Sequence, residues 1–441
     1  MSTDELAADV LVIGGGMAGL TTGASVAQAG SQVIVVERAA EPGGSAAIAG
    51  GYIWTAPDFA TMRAENPLGD ADLGRVLVDN FDAAVSWQSS LGVAIGERKQ
   101  IYDGHGHQID IHDYLRRCIS IISSSGFVIT GVAVRSLSVD ASRRVLGARL
   151  QDRSAIVNVR ARHTILATGG FQANPALRAR YIHRNARGML VRSNEHSVGD
   201  GLRLGLRAGA TTSRFMDGFY GHLVGAPVAR FTEADYGPLS QYLSQYAILI
   251  NVAGERFTDE SARDALNAQA VVRQPRRRAA LVVDEHIRRD LMGVPHIPGL
   301  AYIDRFQTAI EAGARYAQAT TLERLATELG SWRFDGASFL RTARRYNTGV
   351  LLADEPPRRR WHEPLVEPPF HALEVQPAIT FTHGGLRVDR AARALGADDR
   401  PIPGLLVAGV DAGGIYHKSY FGGLSVALVL GRVAAQTALT E

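Results

Sequence analysis

The chain has 441 residues, of which 46% are hydrophobic and 21% charged, with a formal net charge of +3 and a single cysteine. That length is enough for a large core and two domains. The near balance of charge speaks against a nucleic-acid partner, and the lone Cys118 excludes a disulfide framework or a thiolate metal cage.

The opening segment "MSTDELAADV" is acidic and lacks the basic and apolar regions of a secretory signal. A cytoplasmic protein with no membrane span is the expectation. Val10 to Ile13 reads as a short buried strand, Leu20 to Ala29 has helical spacing, Gly30 ends that helix, and Gln32 to Glu37 is a second strand. Together they form a βαβ unit. Its apolar stretch contains Gly15-x-x-x-Gly19, but the turn chemistry and Gln28 oppose a transmembrane reading.

Gly14-x-Gly16-x-x-Gly19 lies between strand and helix, where a dinucleotide fingerprint belongs. Gly14 permits the tight turn, Gly16 lets the backbone approach a pyrophosphate, and Gly19 lets helix and strand pack closely. The pyrophosphate then meets the helix N-terminus. Glu37 ends the second strand, where a carboxylate can hold ribose hydroxyls.

Further along, "RHTILA" (Arg162 to Ala167) and "LLVA" (Leu405 to Ala408) read as strands followed by glycines. Between them, from about Ser213 to Arg358, strands such as "YAILINV" and helices such as "LERLATELG" and "FLRTARRYN" are separated by Pro/Arg-rich joints. The expected fold is α/β: a Rossmann-type dinucleotide-binding domain (1–212 and 358–441) interrupted by an inserted α+β cap domain (213–357). The basic runs at Arg273 to Arg278 and Pro356 to Trp361 read as solvated loops, with steering of an anionic ligand as the alternative.

Three segments resemble flavoproteins: the second glycine loop "GGSAAIAGG" (Gly43 to Gly51), "ATGGF" (Ala167 to Phe171) and "RPIPGLLVAGVDAGG" (Arg400 to Gly414). They point to FAD. No second dinucleotide fingerprint is visible and no Cys-x4-Cys is present. The candidate FAD residues are Gly14, Gly16, Met17, Ala18, Gly19, Glu37, Arg38, Gly43, Gly44, Ser45, Ala167, Thr168, Gly169, Asp200, Gly409, Asp411, Gly423, Leu424 and Ser425. The Gly43–Gly51 loop holds no histidine, so the expected flavin is non-covalent.

With these motifs in place, nearly the whole chain resembles the fumarate reductase and 3-ketosteroid dehydrogenase superfamily of FAD enzymes. "SVGDGLRLGLRAGA" (Ser197 to Ala210), "ILINVAGERFTDESARD" (Ile248 to Asp264), "PAITFTHGGLRVD" (Pro377 to Asp389) and "FGGLSVALVLGRVAA" (Phe421 to Ala435) carry the likeness. The resemblance implies an enzyme in which a cap closes over the flavin and hydride passes between a substrate carbon and flavin N5. It also implies that Arg263 matches the proton-donating arginine of fumarate-reducing members. Departures follow. The relay segment of those members falls on "LSQYL" (Leu239 to Leu243), which lacks both relay groups. Phe381 stands at their histidine, His383 at their methionine, and Tyr420 at their closing arginine.

Two carboxylate anchors are therefore missing, and tyrosines take their place. The chain looks closer to the ketone or tricarballylate dehydrogenase-like members than to true fumarate reductases. The expected reaction is α,β-dehydrogenation of a ketone or keto-acid, cyclic and small, with an electron acceptor left unidentified. Candidate catalytic residues are Arg263, Tyr420, Tyr416, His222 and His383, with His417, Lys418, Tyr242 and Tyr246 behind them. The alternatives are a reductase of an unsaturated carboxylate using Arg263 as proton donor, and a flavin-binding protein without turnover.

Overall fold

In a computed structural model that describes residues 5–151, 156–350 and 352–441, the chain forms two compact units. The first four residues of the acidic opening segment, and Leu351 in the joint after "RRYN", lie outside the described residues.

The first unit comprises Met1–Leu177, Ser193–Phe219 and Phe381–Glu441. At its centre strand β1 (Glu5–Ile13) pairs in parallel with β2 (Val33–Val36) on one side and with the strand Ile156–Leu166 on the other. Gly126–Ile129 extends the sheet beyond β2. Pro401–Val407 and Arg393–Leu395 extend it beyond Ile156–Leu166. Val10, Leu11, Val12, Val33 and Val35 are almost completely buried, as expected of a parallel sheet covered on both faces. Helix α1 (Met17–Gln28) packs against the C-terminal helix Gly423–Thr440, and the Thr22 hydroxyl donates to Gly431 O at 3.0 Å. That last helix is long and apolar enough to cross a membrane, but most of it is buried in this core. A small antiparallel sheet of Tyr52–Thr55, Gly104–Gln108 and Lys99–Ile101 carries Trp54.

The second unit comprises Arg178–Arg192 and Tyr220–Thr380. Its spine is the strand Phe370–Thr382, which pairs with Ala279–Val283, Tyr316–Ala319, Leu190–Val191 and Phe219–Gly225. The helices Leu322–Ser331 and Gly336–Asn347 start where Thr321 and Asp335 cap backbone amides. This unit therefore runs past the expected boundary at 357 and takes in 178–192. The reason is pairing at long range: Phe370–Thr382 completes the cap sheet, although it follows the Pro/Arg-rich joint in sequence.

Arg273, Arg276, Arg359 and Arg360 are exposed, as expected of solvated loops, but one arginine in each basic run departs from that expectation. The Arg358 side chain is fully buried and donates to Glu260 at 3.1 Å, where Arg256 also binds at 2.7 Å. Arg278 and Arg315 both hold the buried Glu374. Removing one partner from such a cluster strands a buried charge.

Candidate active site

The candidate FAD cradle in the first unit is made of bare backbone. Gly14 sits at φ +114°, and a Cβ there would lie 2.2 Å from Ala167 O. Gly19 is equally closed, because its Cβ would lie 1.8 Å from Gly14 O. Gly16 caps α1 with no side-chain bond, so the amides of Met17 and Ala18 face outward at the positive end of the helix. The second glycine loop lies alongside: Gly43 N donates to Gly15 O at 2.7 Å, and Gly43 pairs with Gly16. Glu37 is turned by two backbone amides, those of Gly15 and Ala39, each at 2.7 Å. An uncapped helix start, two glycine loops in contact and a fixed carboxylate at the second strand's end suit a dinucleotide pyrophosphate and ribose.

Arg38 bridges to Asp200 at 2.7 Å, and Ser45 bonds Ser193 and Asn194 at 2.7 and 2.6 Å. Gly44 lies against Gly16, while Gly169 and Gly409 both adopt positive φ. Thr168 donates its amide and hydroxyl to Asp411, which is buried and whose carboxyl burial pushes up to about 7. The C-terminal helix begins at Gly423 with no side-chain cap, so the amides of Gly423 and Leu424 are also presented. Ser425 corrects the sequence reading: its hydroxyl donates to Trp54 O at 2.6 Å and accepts from Trp54 N at 2.7 Å. Its side chain pins the Trp54 strand and is not available to a cofactor.

Around Tyr420 the same unit gathers rings. Trp54 lies edge-on at 5.2 Å between centroids, Phe381 at 5.6 Å and Tyr416 at 6.0 Å. Tyr420 itself is half-buried. Tyr416 is a second correction. It is 3% exposed, and its hydroxyl donates to Phe421 O at 2.7 Å and lies 3.1 Å from Gly422 O. It braces the turn and does not present a donor to a substrate. His383 is buried beside it, with Nδ1 on His417 O at 3.3 Å, and burial lowers its pKa to about 4. His417 is buried against Phe215, 3.8 Å from Asp217, while Lys418 is exposed.

The second unit carries its own constellation. His222 is completely buried, and its Nδ1 hydrogen-bonds Asp264 at the start of the helix Asp264–Arg273. Tyr242 lies edge-on to His222 at 4.6 Å and stacks flat on His296 at 4.1 Å. Arg192 donates to the Tyr242 hydroxyl at 2.8 Å. Arg263, immediately before Asp264, is half-buried and holds φ +82°, which is strained for a side chain of its size. Tyr246 packs instead on Trp361 at 5.4 Å. Asp264, Arg192, His296 and Trp54 escaped the sequence reading. Only Asp264 carried a signal, its place beside Arg263.

The family described as FAD binding domain matches residues 9–423. The chain belongs to this FAD-binding-domain family. It is an FAD-dependent oxidoreductase, and its relatives are named as reductases and dehydrogenases. It is 26% identical to the NADH:fumarate oxidoreductase of Klebsiella pneumoniae over 98% of this chain, and spans 47%, about half, of that relative. It is 24% identical to the 4-oxocyclohexanecarboxylate 2-dehydrogenase of Sinomonas cyclohexanicum, over 97% of this chain and 92% of the relative. The solved 3-ketosteroid Δ4-(5α)-dehydrogenase of Rhodococcus jostii RHA1 has the same fold, with a TM-score of 0.77 at 21% identity over 100% of this chain and 98% of that one.

Proposed function

We propose that this flavoprotein dehydrogenates a ring ketone or ring keto-acid at the bond α,β to its carbonyl. The observation that carries the reading is Tyr420 framed by Trp54 and Phe381, at the position to which the family resemblance assigns the arginine of carboxylate-binding members. An uncharged phenol in an apolar frame suits a carbonyl oxygen and leaves a carboxylate poorly matched. Bound FAD supplies the two-electron acceptor. Tyr420 orients the carbonyl and polarises it, which acidifies the α-proton. Tyr416 holds the Phe421–Gly422 turn and so fixes the backbone beside Tyr420. A ring keto-acid is consistent with a relative whose name specifies an oxocyclohexane carboxylate.

The experiment is Tyr420→Phe. Loss of one polarising donor is expected to lower the rate of flavin reduction on the order of 10²-fold with FAD loading intact. Unchanged reduction by the same ketone would contradict the reading.

One observation favours a second reading, reduction of an unsaturated carboxylate with Arg263 as proton donor. The strained backbone at Arg263 is the kind of conformation retained where the placement of a side chain matters. Arg263→Ala separates the two. The ketone dehydrogenase retains turnover with a substrate lacking a carboxylate, whereas the reductase loses nearly all activity.

A further inference from the structure

We infer that the second unit holds a binding site for the phosphate group of a small soluble molecule, with the Arg277 guanidinium as its main contact and the neighbouring arginines supplying the field. The inference is independent of the ring-ketone reading.

Two segments of that unit build the site. Residues 178–188 and 273–278 carry eight arginines and no aspartate or glutamate. The segments are tied together: the Asn185 side chain donates to Gln274 O at 3.1 Å, and the Arg178 guanidinium donates to Arg187 O at 2.8 Å. Arg278 is turned away to Glu374. Arg184, Arg187, Arg273 and Arg276 are exposed.

Arg277 is seated with unusual care. It holds φ +56° and follows Arg276 at φ +60°, so two consecutive arginines occupy the left-handed region that side chains avoid. Such strain is kept where the placement of a side chain matters. The guanidinium lies over Gly188, where a Cβ would come within 2.8 Å of the Arg277 Cζ. Glycine at 188 leaves it room. The Arg277 Nε is buried without a hydrogen-bond partner among the described residues, while the residue as a whole is only half-buried and so reachable from solvent.

The field around it is one-signed. Arg178 is 3% exposed, and burial together with the Arg277 charge lowers its pKa to about 10. His183 is held below its usual value by burial and by Arg273 and Arg184. Elsewhere in the unit, crowded arginines share an acid: Arg256 and Arg358 meet Glu260, and Arg278 and Arg315 meet Glu374. Arg178 and Arg277 face each other with no carboxylate from their own segments. An anion supplies the counter-charge. A phosphate group carries about −1.5 to −2 at neutral pH, enough for two guanidiniums, and its oxygens match the guanidinium fork. A carboxylate brings one charge only.

The test uses the FAD-loaded protein and inorganic phosphate, followed by calorimetric titration at fixed ionic strength. One saturable site is expected, with acetate weaker by about 10-fold or more. Gly188→Ala moves the guanidinium aside without disturbing backbone and is expected to weaken phosphate binding on the order of 10-fold. Arg277→Gln is expected to weaken it on the order of 10- to 100-fold, and Arg277→Lys to recover part. Arg324→Gln, at an exposed arginine on the helix Leu322–Ser331, should leave it unchanged. Melting temperatures within the wild-type range show that the variants are folded. The site is overturned by the absence of saturable phosphate binding, by wild-type affinity in Arg277→Gln, by acetate binding as tightly as phosphate, or by an equal loss in Arg324→Gln. Binding of duplex DNA without binding of phosphate overturns the small ligand in favour of a nucleic-acid backbone. None of these results bears on flavin reduction by ketones.

Discussion

Thr168 donates both its amide and its hydroxyl to one carboxyl oxygen of Asp411, at 2.5 and 2.8 Å, and the same hydroxyl accepts from Gly201 N at 2.8 Å. The clamp joins the end of one strand, the start of the helix Asp200–Ala208 and the turn after Pro401–Val407. Gly201 is required for it, since a Cβ there would lie 2.2 Å from the Asp411 carboxyl.

This clamp has a pH signature. Burial holds the Asp411 carboxyl at about 7, against an ordinary value of 3.8. Between those values the folded chain keeps a proton that the unfolded chain releases. Stability is therefore expected to fall as pH rises from 4 to 7 and then to level off, the Asp411 share being on the order of 4 kcal/mol. Urea unfolding across that range checks it. Asp411→Asn should flatten the slope, and an identical slope in both proteins would contradict the assignment.

Gly14→Ala is expected to weaken FAD binding on the order of 10- to 100-fold, because its Cβ meets Ala167 O at a φ that side chains avoid. The ratio of flavin to protein absorbance after gel filtration measures this. Full retention of FAD would show that the turn is not part of the cradle.

Tyr416→Phe leaves the Phe421 carbonyl without its buried donor, and a loss of about 1–3 kcal/mol in stability is expected. If Tyr416 braces the turn, the effect appears first in the melting temperature. An unchanged melting temperature with a large loss of flavin reduction would return Tyr416 to the list of groups that touch substrate.

FAD is expected to leave with the supernatant when the protein is denatured and filtered, because the Gly43–Gly51 loop holds no histidine to bond it. A yellow polypeptide would refute that.

The FAD-binding half was legible in the sequence because its signals are local. Gly14, Gly16 and Gly19 lie within six residues, and the strand, turn and helix that need them are contiguous. The cap was less legible. The strand Phe370–Thr382 declares its sheet only through partners at Ala279–Val283 and Tyr316–Ala319, and its sequence says nothing of them. Side-chain roles failed for a related reason. Ser425 and Tyr416 look like ligand-facing hydroxyls in a glycine-rich loop, yet both bond to main chain. Residue type cannot show where a hydroxyl's partner lies. His222 and Asp264 are separated by 42 residues, and only the fold makes them a pair.

The central claim is that this site oxidises a saturated ring ketone, and one measurement addresses it directly. The oxidised holoenzyme is mixed anaerobically with saturated cyclic ketones and keto-acids, 4-oxocyclohexanecarboxylate among them, and flavin absorbance is followed. The account predicts rapid bleaching by at least one of them. No bleaching by any, together with rapid reoxidation of the reduced enzyme by fumarate or urocanate, would contradict it.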